Sequence, residues 1–327
     1  MQRNNTYDIA KFVAITAVAL YHVENHIYSN GYLHSFIDTF FLSIFFFISG
    51  LLTKEYKIYE DGWIRKQAIH LLIPFAFCFI LIGGVRGFVD DNPIFTLNSL
   101  GDAKAGYWFI LSLFEFYGVM WLIRGVLSSN HKKLTRLSLL ILPFVVVSGL
   151  CLILPYEVAG YFSLMSFRRY WLFFAYGFAL SNIFKNTSFF YSDKVGLLFS
   201  VLYLCLLTYY VTIIKTVDSN FSFCVWLFVN FTSVHFWLYT IKKVETIISN
   251  KWVLNIGQNT LGIYLLHYYP LNVAITLMGG GKMMSSNYLF YIYTPLIALV
   301  LIVTAYFMTV LCKANKWTAF LVLGIRK

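Results

Sequence analysis

Lys11 and His22 are the residues of this chain whose type and spacing first suggest chemistry. They bracket an apolar run, FVAITAVALY, at positions 12–21. At about 100° per residue, eleven residues come to about 20° past three full helical turns. The two side chains therefore share one face of a helix, about 16 Å apart along its axis. Ionisable groups are costly inside hydrocarbon, so a membrane helix that carries them marks a functional candidate. A histidine, with an unperturbed pKa of about 6.5, can accept a proton near neutrality. Asp8 precedes Lys11 by one turn and can orient its ammonium. Three further stretches place polar groups beside apolar runs. GWIRKQAIHLLIP (62–74) carries Arg65, Lys66 and His70; GYWFILSLFEFYG (106–118) carries Trp108 and Glu115; IGQNTLGIYLLHYYP (256–270) carries Asn259 and His267. Arg168 and Arg169 adjoin Tyr170 and Trp171. Each has a plainer reading as well: a snorkelling lysine, an interfacial histidine, a polar contact between helices, or an aromatic belt.

The elements that must position these groups follow from composition. The 327 residues are 59% hydrophobic and 20% aromatic, only 12% are charged, and mean hydropathy is +0.71. A soluble domain carries about 25% charged residues. The chain is therefore expected to be an all-α polytopic membrane bundle of about ten transmembrane helices, built as one integral domain over 1–327 without an appended soluble domain. The expected spans are about 8–27, 36–53, 71–89, 107–127, 137–155, 170–185, 195–214, 221–241, 253–278 and 288–312. The sixth is short, with Arg168 and Arg169 just outside it, and the ninth contains Pro270, where a bend or break is expected. The first run lacks a cleavage pattern and is expected to be retained.

The net charge of +11 is spread between apolar segments, which fits positive-inside loops and not a nucleic-acid surface. With the N-terminus inside, the outer segments hold only Arg86, Lys104, Arg168, Arg169, Lys215 and Lys282. Lys11 lies within a span, and the other basic residues are inside. That bias predicts cytoplasmic termini, Lys11 toward the cytoplasm and His22 toward the outer face. The longest polar loop, Asp90–Gly106, falls outside. The five cysteines lie in apolar runs without CxxC spacing, so neither a metal site nor a disulfide framework is expected.

Five motifs in order resemble the acyltransferase-3 family of integral membrane acyltransferases. YDIAKFVAITAVALYH resembles its opening helix, where an arginine, or in some branches a lysine, precedes a histidine by eleven positions. FFLSIFFFISGLL (40–52) is similar to its aromatic second helix ending in Ser-Gly. IRKQAIHLLIPF (64–75) resembles its basic approach to the third helix, YWFILSLFEFY (107–117) its Trp-Phe-Leu helix start, and NTLGIYLLHYYPL (259–271) its late Gly-Ile-Tyr-Leu-x-His pattern. The resemblance implies transfer of an acyl group, usually acetyl from acetyl-CoA as co-substrate, to a hydroxyl of a surface glycan or its lipid-linked precursor. It implies a multi-pass protein of a bacterial inner membrane, with membrane lipids as partners and neither nucleic acid nor a permanently bound cofactor.

On that resemblance His22 is the general base. Lys11, oriented by Asp8, contacts donor phosphates or stabilises developing charge. Glu115, which the family pattern does not fix, is a further candidate as an intramembrane acid that pairs with Lys11, a histidine or an arginine, or binds an acceptor hydroxyl. Arg65, Lys66 and His70 suit the phosphates of coenzyme A, although Gln67 and His70 stand where family members often carry arginine. Trp108, Arg168, Arg169 and Trp171 form a candidate acceptor rim. His267, in the late pattern, is a further acceptor-binding candidate with a structural reading beside it: shaping the pore or capping a broken helix end. No Ser/His/Asp arrangement marks a nucleophile for a covalent acyl-enzyme. A glycan or solute transporter is the leading competing reading, followed by a non-catalytic partner in polysaccharide assembly.

Overall fold

A computed structural model describes residues 4–26, 31–90, 106–128, 131–213, 220–277 and 290–326, without the side chains of 82–90 and 290. Most of the expected outer loop at 90–106 lies outside the described residues. So do Arg3, Lys104, Lys215, Lys282 and Lys327, and the side chain of Arg86. The described residues are helical, with no strand among them. In chain order the helices are α1 (Asn5–His26), α2 (Gly31–Asp38), α3 (Phe41–Leu52), α4 (Glu55–Ile58), α5 (Trp63–Asp90), α6 (Trp108–Leu127), α7 (Lys133–Ile153), α8 (Tyr156–Tyr161), α9 (Leu164–Ala179), α10 (Asp193–Thr212), α11 (Asn220–Ile248), α12 (Lys251–Gln258), α13 (Thr260–Leu266), α14 (Tyr268–Leu277), α15 (Phe290–Ala314) and α16 (Lys316–Leu323). Seven stretches are long and apolar enough to cross a membrane: Gly31–Leu52, Trp63–Leu81, Trp108–Leu127, Lys133–Ile153, Asp193–Thr212, Asn220–Ile248 and Tyr291–Ala314. Their outward faces are apolar. Val145 and Leu152 on α7, Leu197 and Val201 on α10, and Leu299 and Val300 on α15 are all exposed. Water would penalise such faces, whereas lipid solvates them. This is a multi-pass membrane protein.

Two of the expected segments differ in detail. α9 begins at Leu164, so Arg168 and Arg169 lie inside the helix instead of just before it. Arginine is a good helix former and does not stop a helix. The ninth segment breaks at Asn259 and again at His267, and not at Pro270. Asn259 turns its side-chain amide back to the Asn255 carbonyl at 2.7 Å, a local bond that competes with the helical ladder. Pro270 sits in the first turn of α14, where a missing N–H costs nothing because those donors have no helical partner.

The chain divides into two compact units, Met1–Ile48 with Asn186–Val310 and Ser49–Lys185 with Leu311–Lys327. The chain passes from one to the other within α3, between Lys185 and Asn186, and within α15. Unit 1 joins α2 and α3 to α10 and α11 through a buried polar seam. Ser43 donates to the Asn230 side-chain carbonyl at 2.5 Å, and the Asn230 amide donates to the Trp226 carbonyl at 3.0 Å. The Trp226 indole N–H donates to Asp38 at 2.8 Å. The Thr39 hydroxyl is spent on the Phe36 carbonyl at 2.6 Å, so it is Tyr203 that donates across 2.9 Å to Thr39. Inside a membrane such bonds fix which helix faces meet.

Unit 2 is built on aromatic packing. Phe116, Phe167, Trp171 and Phe174 form one buried cluster, and the Trp171 indole donates to the Leu140 carbonyl at 2.7 Å. Asn182, in the π-helical turn Leu180–Phe184 that ends α9, ties the chain after α3. Its side-chain carbonyl accepts from the Glu55 amide at 2.9 Å, and its amide donates to the Thr53 carbonyl at 2.9 Å. The Glu55 carboxylate in turn pairs with the buried Arg136 at 2.5 Å. Gly50 lets α3 touch α9, since a Cβ there would collide with the Phe174 carbonyl.

Overpacking a close helix contact costs typically 1–3 kcal/mol, whereas glycine to alanine at an open helical site gains about 0.5–1 kcal/mol. Gly50→Ala should therefore lower the thermal unfolding midpoint in detergent. Gly118→Ala in α6, where nothing lies within 4 Å of an added Cβ, should leave it unchanged or raise it. Equal behaviour of the two variants would contradict the contact assigned to Gly50.

Candidate active site

The candidate site lies in unit 1, along α1. The buried face of α1 is rich in small residues, Ala10, Ala14, Ala17 and Ala19 among them. They allow close approach, and the broken run α12–α14 packs along the helix together with α11 and α2. The approach is tightest where Gly257 of α12 meets the Asp8 backbone: a Cβ there would collide with the Asp8 carbonyl. α12 is started by Asn250, whose side chain accepts from the Val253 amide at 2.9 Å.

At this end of α1, Lys11 and Asp8 form an ion pair of 2.7 Å, with side chains 17% and 4% exposed. The second Asp8 oxygen accepts from the Gln258 side-chain amide at 3.3 Å. The carboxylate is therefore held from two sides, and the ammonium is held by the carboxylate. Sequence spacing placed Asp8 beside Lys11. It did not single out Gln258 or Gly257, although both lie in the quoted stretch IGQNT.

At the other end, three rings meet. The His22 ring lies with its centre 5.0 Å from that of His267 and 4.9 Å from that of Tyr268, and His26 stacks at 6.1 Å. His22 Nε2 lies 3.2 Å from the Tyr268 hydroxyl. Neighbouring residues of a regular helix diverge by about 100°. Here both His267 and Tyr268, at the junction of α13 and α14, reach one imidazole. His267 Nδ1 is 2.6 Å from the Tyr264 carbonyl oxygen. A carbonyl only accepts, so Nδ1 carries the proton and donates. The other nitrogen of each ring, His22 Nδ1 and His267 Nε2, is buried with no hydrogen-bond partner among the described residues. Tyr268 is the site residue that sequence reasoning passed over; its signal was its place directly after His267.

The remaining nominated residues belong to unit 2. Arg65, Lys66 and His70 are exposed on the first turns of α5, and the backbone of His70 closely approaches Gly324. Glu115 is half-buried on α6. Trp108 stacks on Tyr170 at 5.7 Å. Trp171 is fully buried, and its only polar atom is bonded to Leu140, so its ring belongs to the aromatic core and not to an open rim. Arg168 is half-buried and Arg169 exposed, both on α9. Among the described residues, no three His, Cys, Asp or Glu side chains are grouped to hold a metal ion.

A family model described as "Acyltransferase domain" matches residues 4–316. No curated protein and no solved structure matches the chain.

Breaking a largely buried ion pair by removing one partner costs more than removing both, because a lone charge stays behind. Asp8→Asn should destabilise the protein by about 2–3 kcal/mol. The double variant Asp8→Asn/Lys11→Met should recover part of that loss. Thermal unfolding in detergent reads both, and an additive double variant would contradict the coupling of these two side chains.

Proposed function

The chain belongs to the acyltransferase-3 family, and from that premise we propose that it is an O-acetyltransferase that moves acetyl from cytoplasmic acetyl-CoA to a hydroxyl of a bacterial surface polysaccharide or its lipid-linked precursor. The observation that carries this reading is the His22 imidazole, with one nitrogen on Tyr268 and the other buried and unpartnered among the described residues. A base oriented from behind and bare in front is what hydroxyl activation requires.

In this reading His22 carries its own proton on Nε2, donating to the Tyr268 oxygen, and presents the Nδ1 lone pair. The acceptor oxygen attacks the thioester carbonyl as Nδ1 takes its proton. The carbon–sulfur bond then breaks, and the imidazolium returns the proton to the departing thiolate of coenzyme A. General-base catalysis of this kind contributes typically 10²–10⁴-fold. Lys11, fixed by Asp8, offsets negative charge on the donor side. Arg65 and Lys66 suit the donor's phosphates as exposed cations, and His70 as a ring N–H donor beside them. Trp108, Arg168 and Arg169 suit a saccharide or a lipid-linked diphosphate.

The proposed arrangement in the bacterial inner membrane has ten crossings. They are α1, α2–α3, α5, α6, α7, α9, α10, α11, the broken α12–α14 and α15, with both termini in the cytoplasm. The excess of loop lysines and arginines on one side supports it.

Membranes containing the protein should transfer radiolabelled acetyl from acetyl-CoA to the surface glycan, and acetyl signals in the NMR spectrum of that glycan should vanish when the gene is deleted. Unchanged acetyl signals would contradict the acceptor. Glycan movement without consumption of acetyl-CoA would contradict the enzyme.

A further inference from the structure

We propose that the site is built for a vicinal diol: His22 engages the hydroxyl that is acetylated, and His267 Nε2 accepts a hydrogen bond from the hydroxyl on the adjacent carbon. This inference rests on the acetyl-transfer reading above and adds the chemical class of its acceptor.

Two observations carry it. The first is the fixed tautomer of His267. Its Nδ1–H is committed to the Tyr264 carbonyl at 2.6 Å, so in the uncharged ring Nε2 is a lone pair and cannot donate. The side chain is 1% exposed, and Nε2 has no partner among the described residues. A buried acceptor left without a donor is disfavoured, so the site gains whenever something supplies an O–H or N–H to it. The second is its neighbour. His22 and His267 have ring centres 5.0 Å apart, and each holds one buried nitrogen without a partner among the described residues. With His22 acting as base, both bare nitrogens are acceptors, so the complementary ligand brings two donors on adjacent atoms. Adjacent hydroxyls of a sugar ring have that form, whereas an isolated alcohol satisfies one nitrogen and strands the other. Discrimination by an otherwise unpaired buried group is the strong kind, because the wrong substrate leaves that group unsatisfied.

The roles of the two histidines are distinct. His22 touches the reacting oxygen. His267 touches the oxygen beside it and takes no proton, so it sets acceptor choice. The conserved bookkeeping of the reaction is unchanged: one acetyl ester forms, one thioester breaks, and the second hydroxyl leaves as it came.

The test uses the full-length protein in lipid vesicles with acetyl-CoA as donor and two simple acceptors, cyclohexane-1,2-diol and cyclohexanol. The readout is the ratio of kcat/KM for acetyl ester formation. Two equivalent hydroxyls alone give a ratio of about two. One added hydrogen bond is worth about tenfold, so the wild-type ratio should be about twenty. His267→Phe and His267→Leu, which remove the lone pair with different shapes, should bring the ratio down toward two. His267→Gln, whose side-chain carbonyl still accepts, should restore part of it. A wild-type ratio of about two would overturn the inference and leave acetyl transfer standing, with a water molecule as the occupant of His267 Nε2. A wild-type ratio retained in the folded apolar variants would overturn it equally. Absence of acetyl ester from every alcohol would overturn the transfer reading and this inference with it.

Discussion

Hydrocarbon supplies no hydrogen bonds, so a polar group on a membrane helix must find its partner within the protein or at a lipid headgroup. In unit 1 that constraint accounts for most of the buried polar side chains. Asp8 is shared between Lys11 and Gln258, Asn230 is held by Ser43, and Asp38 is held by the Trp226 indole. In unit 2 it accounts for Asn182 under Glu55 and for Glu55 against Arg136. These contacts are directional, and they select one set of helix faces where apolar packing alone would tolerate many. The unpaired ring nitrogens of His22 and His267 are not alone among the described residues, since Ser112 Oγ, Ser148 Oγ and Thr294 Oγ1 are also buried without a partner, but these two lie together, in rings whose centres are 5.0 Å apart. Unpaired buried groups are destabilising, and a site that must receive a polar ligand is where a fold retains them.

The same constraint shapes α1. Its small residues let α12–α14 lie against it, which brings Gln258 to Asp8 at one end and Tyr268 with His267 to His22 at the other. Both features depend on the interruptions in the α12–α14 run. Asn259 spends its amide on a nearby carbonyl, and the change from α13 to α14 at His267 lets consecutive rings face one imidazole. The breaks thus position chemistry, and Pro270 is accommodated without causing them.

Much of this was legible in the sequence, for specific reasons. The all-helical membrane class follows from composition, and the shared face of Lys11 and His22 follows from helical periodicity. The pairing of Asp8 with Lys11 follows from their one-turn spacing. Other features were not legible because they depend on contacts between segments far apart in the chain. Tyr268 lies 246 positions from the histidine it touches, and no local pattern announces that contact. The start of α9 was misplaced because its charged first turns, with Arg168 and Arg169, resemble a loop in hydropathy though they are good helix formers. Trp171 was read as a rim residue because tryptophan next to arginine is the usual mark of a membrane interface. Only the packing reveals that its indole is spent on Leu140 inside the core.

The central claim is that His22 takes the acceptor's proton. It is tested most directly by a single-turnover rate of acetyl transfer for His22→Ala against wild type, in vesicles at equal protein level with acetyl-CoA bound to saturation. The account predicts a fall of about 10²–10⁴-fold, the usual worth of a general base, with donor affinity preserved. A His22→Ala protein that transfers acetyl at the wild-type rate would contradict it.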